Sequence, residues 1–109
     1  MKYQLTGLLG LALTACLASP VFAQDDAAIM DLAKKNNCLA CHSIDSKLVG
    51  PAWREIGKRY ADDPAAAEQL ALHVKKGSRG VWGPVPMPPN ATLKDEDIQA
   101  LVGFILSLK

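Results

Sequence analysis

The chain has 109 residues, of which 50% are hydrophobic and 21% are charged. Twelve basic and eleven acidic residues give a formal net charge of +1, so the chain lacks the basic excess with which proteins bind nucleic acid. A chain of this length forms one small domain, too short for a typical two-layer α/β enzyme, and it has no apolar run of the roughly 18 residues that cross a membrane.

Residues 1–23 have the pattern of a secretory signal peptide. Lys2 supplies the positive charge, a short apolar stretch follows, and Ala23 is a small residue of the kind that signal peptidases require. A buried N-terminal helix and lipoprotein processing at Cys16 are the two alternatives. Cleavage after Ala23 leaves residues 24–109 as one exported domain, which we expect in the periplasm.

The exported part of the chain predicts an all-α domain. Apolar periodicity favours four helices: residues 27–37, residues 52–60, a third helix that starts at Pro64 after an Asp63 cap and stops before Gly77, and a last helix capped by Thr92 with Asp95 in capping-box position. Residues 77–91 contain three Gly and four Pro, which excludes a helix or a central strand there.

A motif at residues 38–42, CLACH, carries the chemistry of the chain. The thiols of Cys38 and Cys41 have the spacing that lets them add to the two vinyl groups of one haem, and His42 then lies under the iron as axial ligand. A thioredoxin-type redox pair would need a βαβ context, and a zinc site would need four ligands. A small core also favours a large bound cofactor. The motif therefore predicts one covalently attached haem c.

An electron carrier needs a second axial ligand, and the exported chain offers Met30, His73 and Met87. Met30 is too close to the motif to reach the opposite face of the haem. Met87 lies in a proline-rich loop that can hold a thioether at low entropy cost, so it is preferred to His73. Ligation by His42 and Met87 fills both axial positions and favours electron transfer over catalysis. The alternative is a small haem enzyme or ligand sensor in which Met87 dissociates.

Four segments together resemble a known family: CLACH, KLVGP at residues 47–51, KGS at 76–78 and GVWGPVPMPPN at 80–90. With these motifs the chain is similar to the small periplasmic class I cytochromes c of the c-551 type over essentially all of residues 24–109. The resemblance implies a class I cytochrome c fold, with four to five short helices around one covalently bound haem and the first and last helices crossing.

The resemblance also implies roles for residues around the two ligands. Pro51 would accept a hydrogen bond from the ring of His42, which fixes the imidazole and raises its basicity. Asn90 would donate a hydrogen bond to the sulfur of Met87. The structural alternatives are a turn proline and a cap or turn asparagine.

Two further residues are assigned to the haem propionates by the same resemblance. Trp82 would point its indole N–H at a propionate, and His73 would lie beside one; the alternatives are apolar packing and a solvated helix histidine. The chain departs from the family at two positions. Ala33 stands where an aromatic is common, which predicts a looser crossing of the first and last helices. Asn37 stands where Gly is common, and Asn tolerates left-handed backbone.

The family is one of electron shuttles, so the resemblance implies redox partners and no catalytic residue. The acceptor would be a nitrite reductase of the haem cd₁ kind, an oxidase or a peroxidase, and the donor a bc₁-type complex or another cytochrome. We expect a monomer without stable membrane insertion. Apolar loop residues would form a docking patch at the haem edge, rimmed by Lys34, Lys35 and Lys47: Leu39, Ala40, Leu48, Val49, Pro84, Val85, Pro88 and Pro89.

Overall fold

The computed structural model describes residues 25–109 and, before them, Gly7, Gly10, Ala15 and Cys16. Apart from these four residues, the expected signal peptide of residues 1–23 lies outside the described residues, and its cleavage stays a prediction. Within the described part of the chain, no helix is long and apolar enough to cross a membrane.

Four α-helices build the domain, which confirms the all-α prediction. They are α1 at Asp26–Lys35, α2 at Trp53–Arg59, α3 at Ala66–Lys76 and α4 at Asp95–Ser107, with a single 3-10 turn at Cys38–Ala40. Residues 25–109 contain no strand. Two isolated β-bridges pair His42 with Lys47 and Ser78 with Met87.

The first helix follows the physical signals at its ends. The Asp25 side chain accepts a hydrogen bond from the backbone N–H of Ala27 at 3.1 Å, and an acidic first turn and a basic last turn both suit the helix dipole. The helix ends two residues earlier than expected because Asn37 has a φ of 60°, which breaks the helical path. The expectation that Asn37 accepts left-handed backbone is confirmed.

Two expected helix starts were wrong. Asp63 accepts a hydrogen bond from the backbone N–H of Ala65 at 2.8 Å, but Pro64 and Ala65 form a turn and α3 begins only at Ala66. Thr92 does not cap α4, which begins at Asp95 without a side-chain cap. A tight turn that buries Leu93 fills the intervening residues, and Asp95 pairs with Lys75 at 3.0 Å instead of entering a capping box.

The core lies where α4 packs against each of the other three helices. Ala33 on α1 is fully buried, and α1 remains in contact with α4 although the side chain at this position is small. A groove of about 300 Å³ lies beside this contact and is lined by residues of α1 and α4, including Gly103. The core residues are Ile29, Ala33, Trp53, Ile56, Tyr60, Ala66, Leu70, Leu93, Ile98, Leu101, Val102 and Ile105.

Candidate functional site: the CLACH motif and a proline-rich loop

The left-handed residue after α1 sets the geometry of the CLACH motif. Asn37 directs the chain into the 3-10 turn, where the backbone N–H groups of Cys41 and His42 both donate to the carbonyl oxygen of Cys38, at 3.2 and 2.9 Å. Both cysteines are half-buried and neither forms a disulfide. One short turn therefore presents two free thiols and an imidazole together.

The surroundings of the first thiol differ from those of a redox-active pair. Burial raises the pKa of Cys38, with a smaller contribution from nearby Cys41, against a lowering by a backbone hydrogen bond. Redox-active cysteines in such motifs have lowered pKa values instead. Among the described residues there is also no cluster of three or more His, Cys, Asp or Glu side chains that could hold a metal ion, so the zinc alternative gains no support.

The ring of His42 is held in one orientation. It is only 9% exposed, and its Nδ1 lies 2.8 Å from the carbonyl oxygen of Pro51, as expected from the resemblance. A carbonyl can only accept, so Nδ1 is the donor of this hydrogen bond, and Nε2 is the ring nitrogen left to bind a metal. The Trp53 ring lies on another side, with ring centroids 6.0 Å apart. His42 is therefore oriented to offer Nε2 as a ligand atom.

Gly50 is a functional position that the sequence marked only as part of a turn. A Cβ atom there would lie 2.7 Å from Cε1 of His42 and 3.1 Å from both ring nitrogens. The backbone N–H of Gly50 donates to the carbonyl oxygen of Cys41 at 2.8 Å, which fixes this close approach. The sequence offered one signal for this contact: a glycine, which has no side chain, directly precedes Pro51.

The loop of residues 77–91, here called the ligand loop, is irregular as expected. Its base is closed by two backbone hydrogen bonds of 3.0 Å between Ser78 and Met87. Gly77 has a φ of 78°, and a Cβ atom there would lie 2.6 Å from the carbonyl oxygen of Met87. A cleft of about 480 Å³ opens at the half-buried Met87. The backbone of Met87 is thus held independently of its side chain.

The expected contact between Asn90 and the Met87 sulfur is absent from the hydrogen bonds of residues 25–109. The side-chain Nδ2 of Asn90 donates to the carbonyl oxygen of Val74 at 3.3 Å, and its backbone N–H donates to the same oxygen at 2.9 Å. The end of α3 offers an unpaired carbonyl at this point, and Asn90 uses its donors there. The role at the Met87 sulfur that the resemblance implies for Asn90 stays a prediction.

Trp82 and His73 lie on different elements. Trp82, in the ligand loop, is 37% exposed and is covered by the guanidinium of Arg59, 4.3 Å from the ring centroid. His73 is a half-buried residue near the end of α3 and makes no side-chain hydrogen bond or ion pair with the described residues. Arg59 was missed by sequence reasoning, because a basic residue in the last turn of a helix is ordinary.

The apolar residues of the expected docking patch are largely in contact with solvent. Leu48, Val49 and Val85 are 50%, 56% and 58% exposed, which is unusual for large hydrophobic side chains. Leu39 is half-buried, whereas Ala40 and the three prolines of the set are exposed, as are the three lysines of the rim.

Comparison with known proteins agrees with this geometry. A family model described as Cytochrome c matches residues 27–109. Cytochrome c-552 of Nitrosomonas europaea is 50% identical over 104 residues, which cover 95% of this chain and 98% of that protein. Cytochrome c-551 of Stutzerimonas stutzeri is 49% identical over 100 residues, which cover 91% and 92%. The crystal structure of wild-type Nitrosomonas europaea cytochrome c552 superposes with a TM-score of 0.71 at 55% identity, covering 73% of this chain and 99% of that one.

The chain therefore belongs to the cytochrome c family. Within that family it is a class I cytochrome of the c-551 type, and it is an electron carrier with one covalently attached c-type haem. The residues fit this group: Cys38 and Cys41 are free thiols on one turn, and the Nδ1 hydrogen bond of His42 leaves Nε2 as the ring nitrogen available to the iron.

Proposed function

We propose that the protein is a periplasmic shuttle of single electrons whose haem iron is ligated by His42 and Met87. The hydrogen bond from His42 Nδ1 to the Pro51 carbonyl oxygen carries this proposal, because it fixes the ring and leaves Nε2 as the nitrogen that can bind iron. The closed base of the ligand loop supports Met87 as the second ligand. The resident haem supplies a one-electron exchange between ferric and ferrous iron.

The residues of the chain divide the work of holding the haem. Cys38 and Cys41 attach it covalently, and Pro51 keeps the His42 imidazole in one tautomer and raises its basicity. The proline-rich loop presents the Met87 thioether with few alternative conformations, so little entropy is lost on ligation. Ligation by both His42 and Met87 would leave the iron no site for O₂ or peroxide, and we infer that the protein is not an enzyme.

The exposed apolar residues on either side of the haem-binding segments support transient docking. Leu48 and Val49 precede the turn that contacts His42, and Val85 lies two residues before Met87. Small apolar patches with a charged rim suit short-lived complexes that must release after each electron. The acceptors that we propose are a nitrite reductase, an oxidase or a peroxidase, with a bc₁-type complex or another periplasmic cytochrome as donor.

Replacing Met87 tests the ligation directly. In Met87→Ala the charge-transfer band of thioether-ligated ferric haem should disappear and the potential should fall, because a thioether favours ferrous iron. Met30→Ala is the matched control and should keep the band. A surviving band in Met87→Ala would falsify the assignment.

Carbon monoxide separates the proposal from the sensor alternative: ferrous wild type at neutral pH should keep its spectrum, and a shift would favour a haem site that opens to ligands.

Export is tested on the protein itself. The mature chain, isolated from the periplasm, should begin at Gln24 and carry one haem by mass. A lipid-modified N-terminus at Cys16, or retention of the chain in the cytoplasm, would contradict this part of the proposal.

A further inference from the structure

The tip of the ligand loop, residues 79–86, is connected to α2 by one side chain. Ser78 and Met87 close the base of the loop with their two backbone hydrogen bonds. Beyond that base, the hydrogen bond from Nη1 of Arg59 to the carbonyl oxygen of Val81, at 2.9 Å, is the one that residues 25–109 make to the tip. Without it, backbone hydrogen bonding would hold the loop only at its base.

A second contact of Arg59 reaches the same tip. Its guanidinium carbon lies 4.3 Å from the ring centroid of Trp82 and 5.7 Å from that of Tyr60. Tyr60 is 8% exposed and belongs to the core, whereas Trp82 is 37% exposed. A planar guanidinium can stack on an aromatic face while its N–H groups donate at the edge, which an ammonium group cannot do. Arg59 therefore joins a core aromatic ring to an aromatic ring of the loop.

We propose that Arg59 is a positioning residue that clamps the tip of the ligand loop and so slows the departure of Met87 from the haem iron. This rests on the proposed His42 and Met87 ligation. Met87 directly follows the tip of the loop, so departure of its side chain from the iron is eased when the tip moves away from α2. The clamp opposes that movement, acting through the Val81 carbonyl and the Trp82 ring.

The rate at which imidazole replaces the methionine ligand of ferric haem measures this movement. At saturating imidazole the rate is that of ligand opening. We expect Arg59→Gln to open about threefold faster than wild type, the factor that an exposed cation–π contact supports. Arg59→Lys keeps the charge but not the planar stacking, and should also open faster than wild type.

Lys58→Gln is the matched control. It removes the same charge from the neighbouring position of α2, where the side chain pairs with Glu55 at 3.2 Å and contacts no residue of the loop by hydrogen bond. Its opening rate should equal that of wild type. An Arg59→Gln rate equal to the wild-type rate, or an equal acceleration in Lys58→Gln, would overturn the proposal.

A double-mutant cycle with Trp82→Leu tests the route through the ring. The acceleration caused by Arg59→Gln should be smaller in the Trp82→Leu background, because the stacking contact between Arg59 and the ring is already absent there. Independent, multiplying effects would contradict the route through Trp82. The unfolding free energy of each variant is measured alongside. If Arg59→Gln and Lys58→Gln lose the same stability but differ in opening rate, a general loss of stability is excluded as the cause. If wild type lacks the thioether band, the ligation itself fails, which is distinct from failure of the clamp.

Discussion

The segments that carry the two proposed axial ligands are held in place in different ways. His42 is enclosed: the residue is 9% exposed, a Cβ atom at Gly50 would lie 2.7 Å from its ring, Pro51 accepts its hydrogen bond and the Trp53 ring lies beside it. Met87 belongs to an exposed loop that is closed by backbone hydrogen bonds at its base. A substitution beside His42 must therefore displace packed atoms, whereas the segment that carries Met87 can move as a loop.

This difference separates stability from ligation. A change beside His42 should lower the free energy of unfolding, because close-packed surroundings cannot relax without cost. A change in the ligand loop should alter the occupancy or lifetime of the methionine ligand before it alters global stability. The following substitutions test this separation.

The largest effect is expected from Gly50→Ala. Its Cβ atom would lie 2.7 Å from Cε1 of His42, so the ring or the backbone must shift. We expect the unfolding free energy of the ferric holoprotein to fall by about 2 kcal/mol, as for overpacked cores. Denaturant titration measures it.

Gly103→Ala is the control for the added methyl group. A Cβ atom at Gly103 meets nothing within 4 Å, and the residue lies inside α4. This substitution should raise stability by about 0.5–1 kcal/mol, because alanine is the better helix former. Equal behaviour of the two variants would show that the contact with His42 is not what matters.

Gly77→Ala should have a clear effect on ligation. Left-handed backbone costs a non-glycine residue roughly 1–2 kcal/mol, and the new Cβ atom would press on the Met87 carbonyl oxygen. The thioether band should weaken. Gly80→Ala shares the positive φ, at 70°, but meets nothing within 4 Å, so it should keep the band. Equal bands in the two variants would disprove an effect of the Met87 contact.

Charges placed on the two parts of the exposed patch should affect docking alone. Val85→Glu, in the ligand loop, and Leu48→Glu, beside the His42 segment, should each slow electron transfer to the partner several-fold while the potential stays nearly constant. Leu72→Glu, on α3 and 46% exposed, is the matched control outside the patch. Stopped-flow oxidation of the reduced protein measures the rates, and a slower Leu72→Glu would contradict a localised patch.

The smallest effect concerns His73 and pH. If its imidazole lies beside a haem propionate, the potential of wild type should fall as pH rises between about 5 and 8, because lost protons leave a more negative surrounding that favours ferric iron. His73→Arg keeps a positive charge, so the fall should move to lower pH; His73→Gln should change its position or size. Superimposable redox titrations of the three proteins would leave His73 as a helix residue without this role.

Much of the fold and the chemistry could be predicted because it depends on short segments of sequence. The CLACH spacing and the density of proline around Met87 are local signals, and apolar periodicity located all four helices. The errors at Asp63 and Thr92 have one cause: each is a sound capping residue, but the chain forms a further turn before the helix begins. At Thr92 that turn buries Leu93.

The remaining features depend on contacts between segments distant in sequence. Arg59 meets Val81 across 22 residues, and Asn90 meets Val74 across 16. Neither side chain has a local pattern that names its partner, and the resemblance assigned Asn90 to a different one. The close approach of Gly50 to the His42 ring likewise becomes visible only in the three-dimensional structure, because a single glycine forms no periodic pattern in the sequence.

The hydrogen bonds of Asn90 also connect the end of α3 to the ligand loop. In a longer α3 the Val74 carbonyl oxygen would accept from the backbone N–H of Ser78. Here that N–H donates to Met87, and Val74 accepts from Asn90 instead. Fraying of the helix therefore releases the loop, and opening of the loop leaves the helix end unpaired. Hydrogen exchange should accordingly detect a shared opening, with the amides of Ser78, Met87 and Asn90 losing protection together.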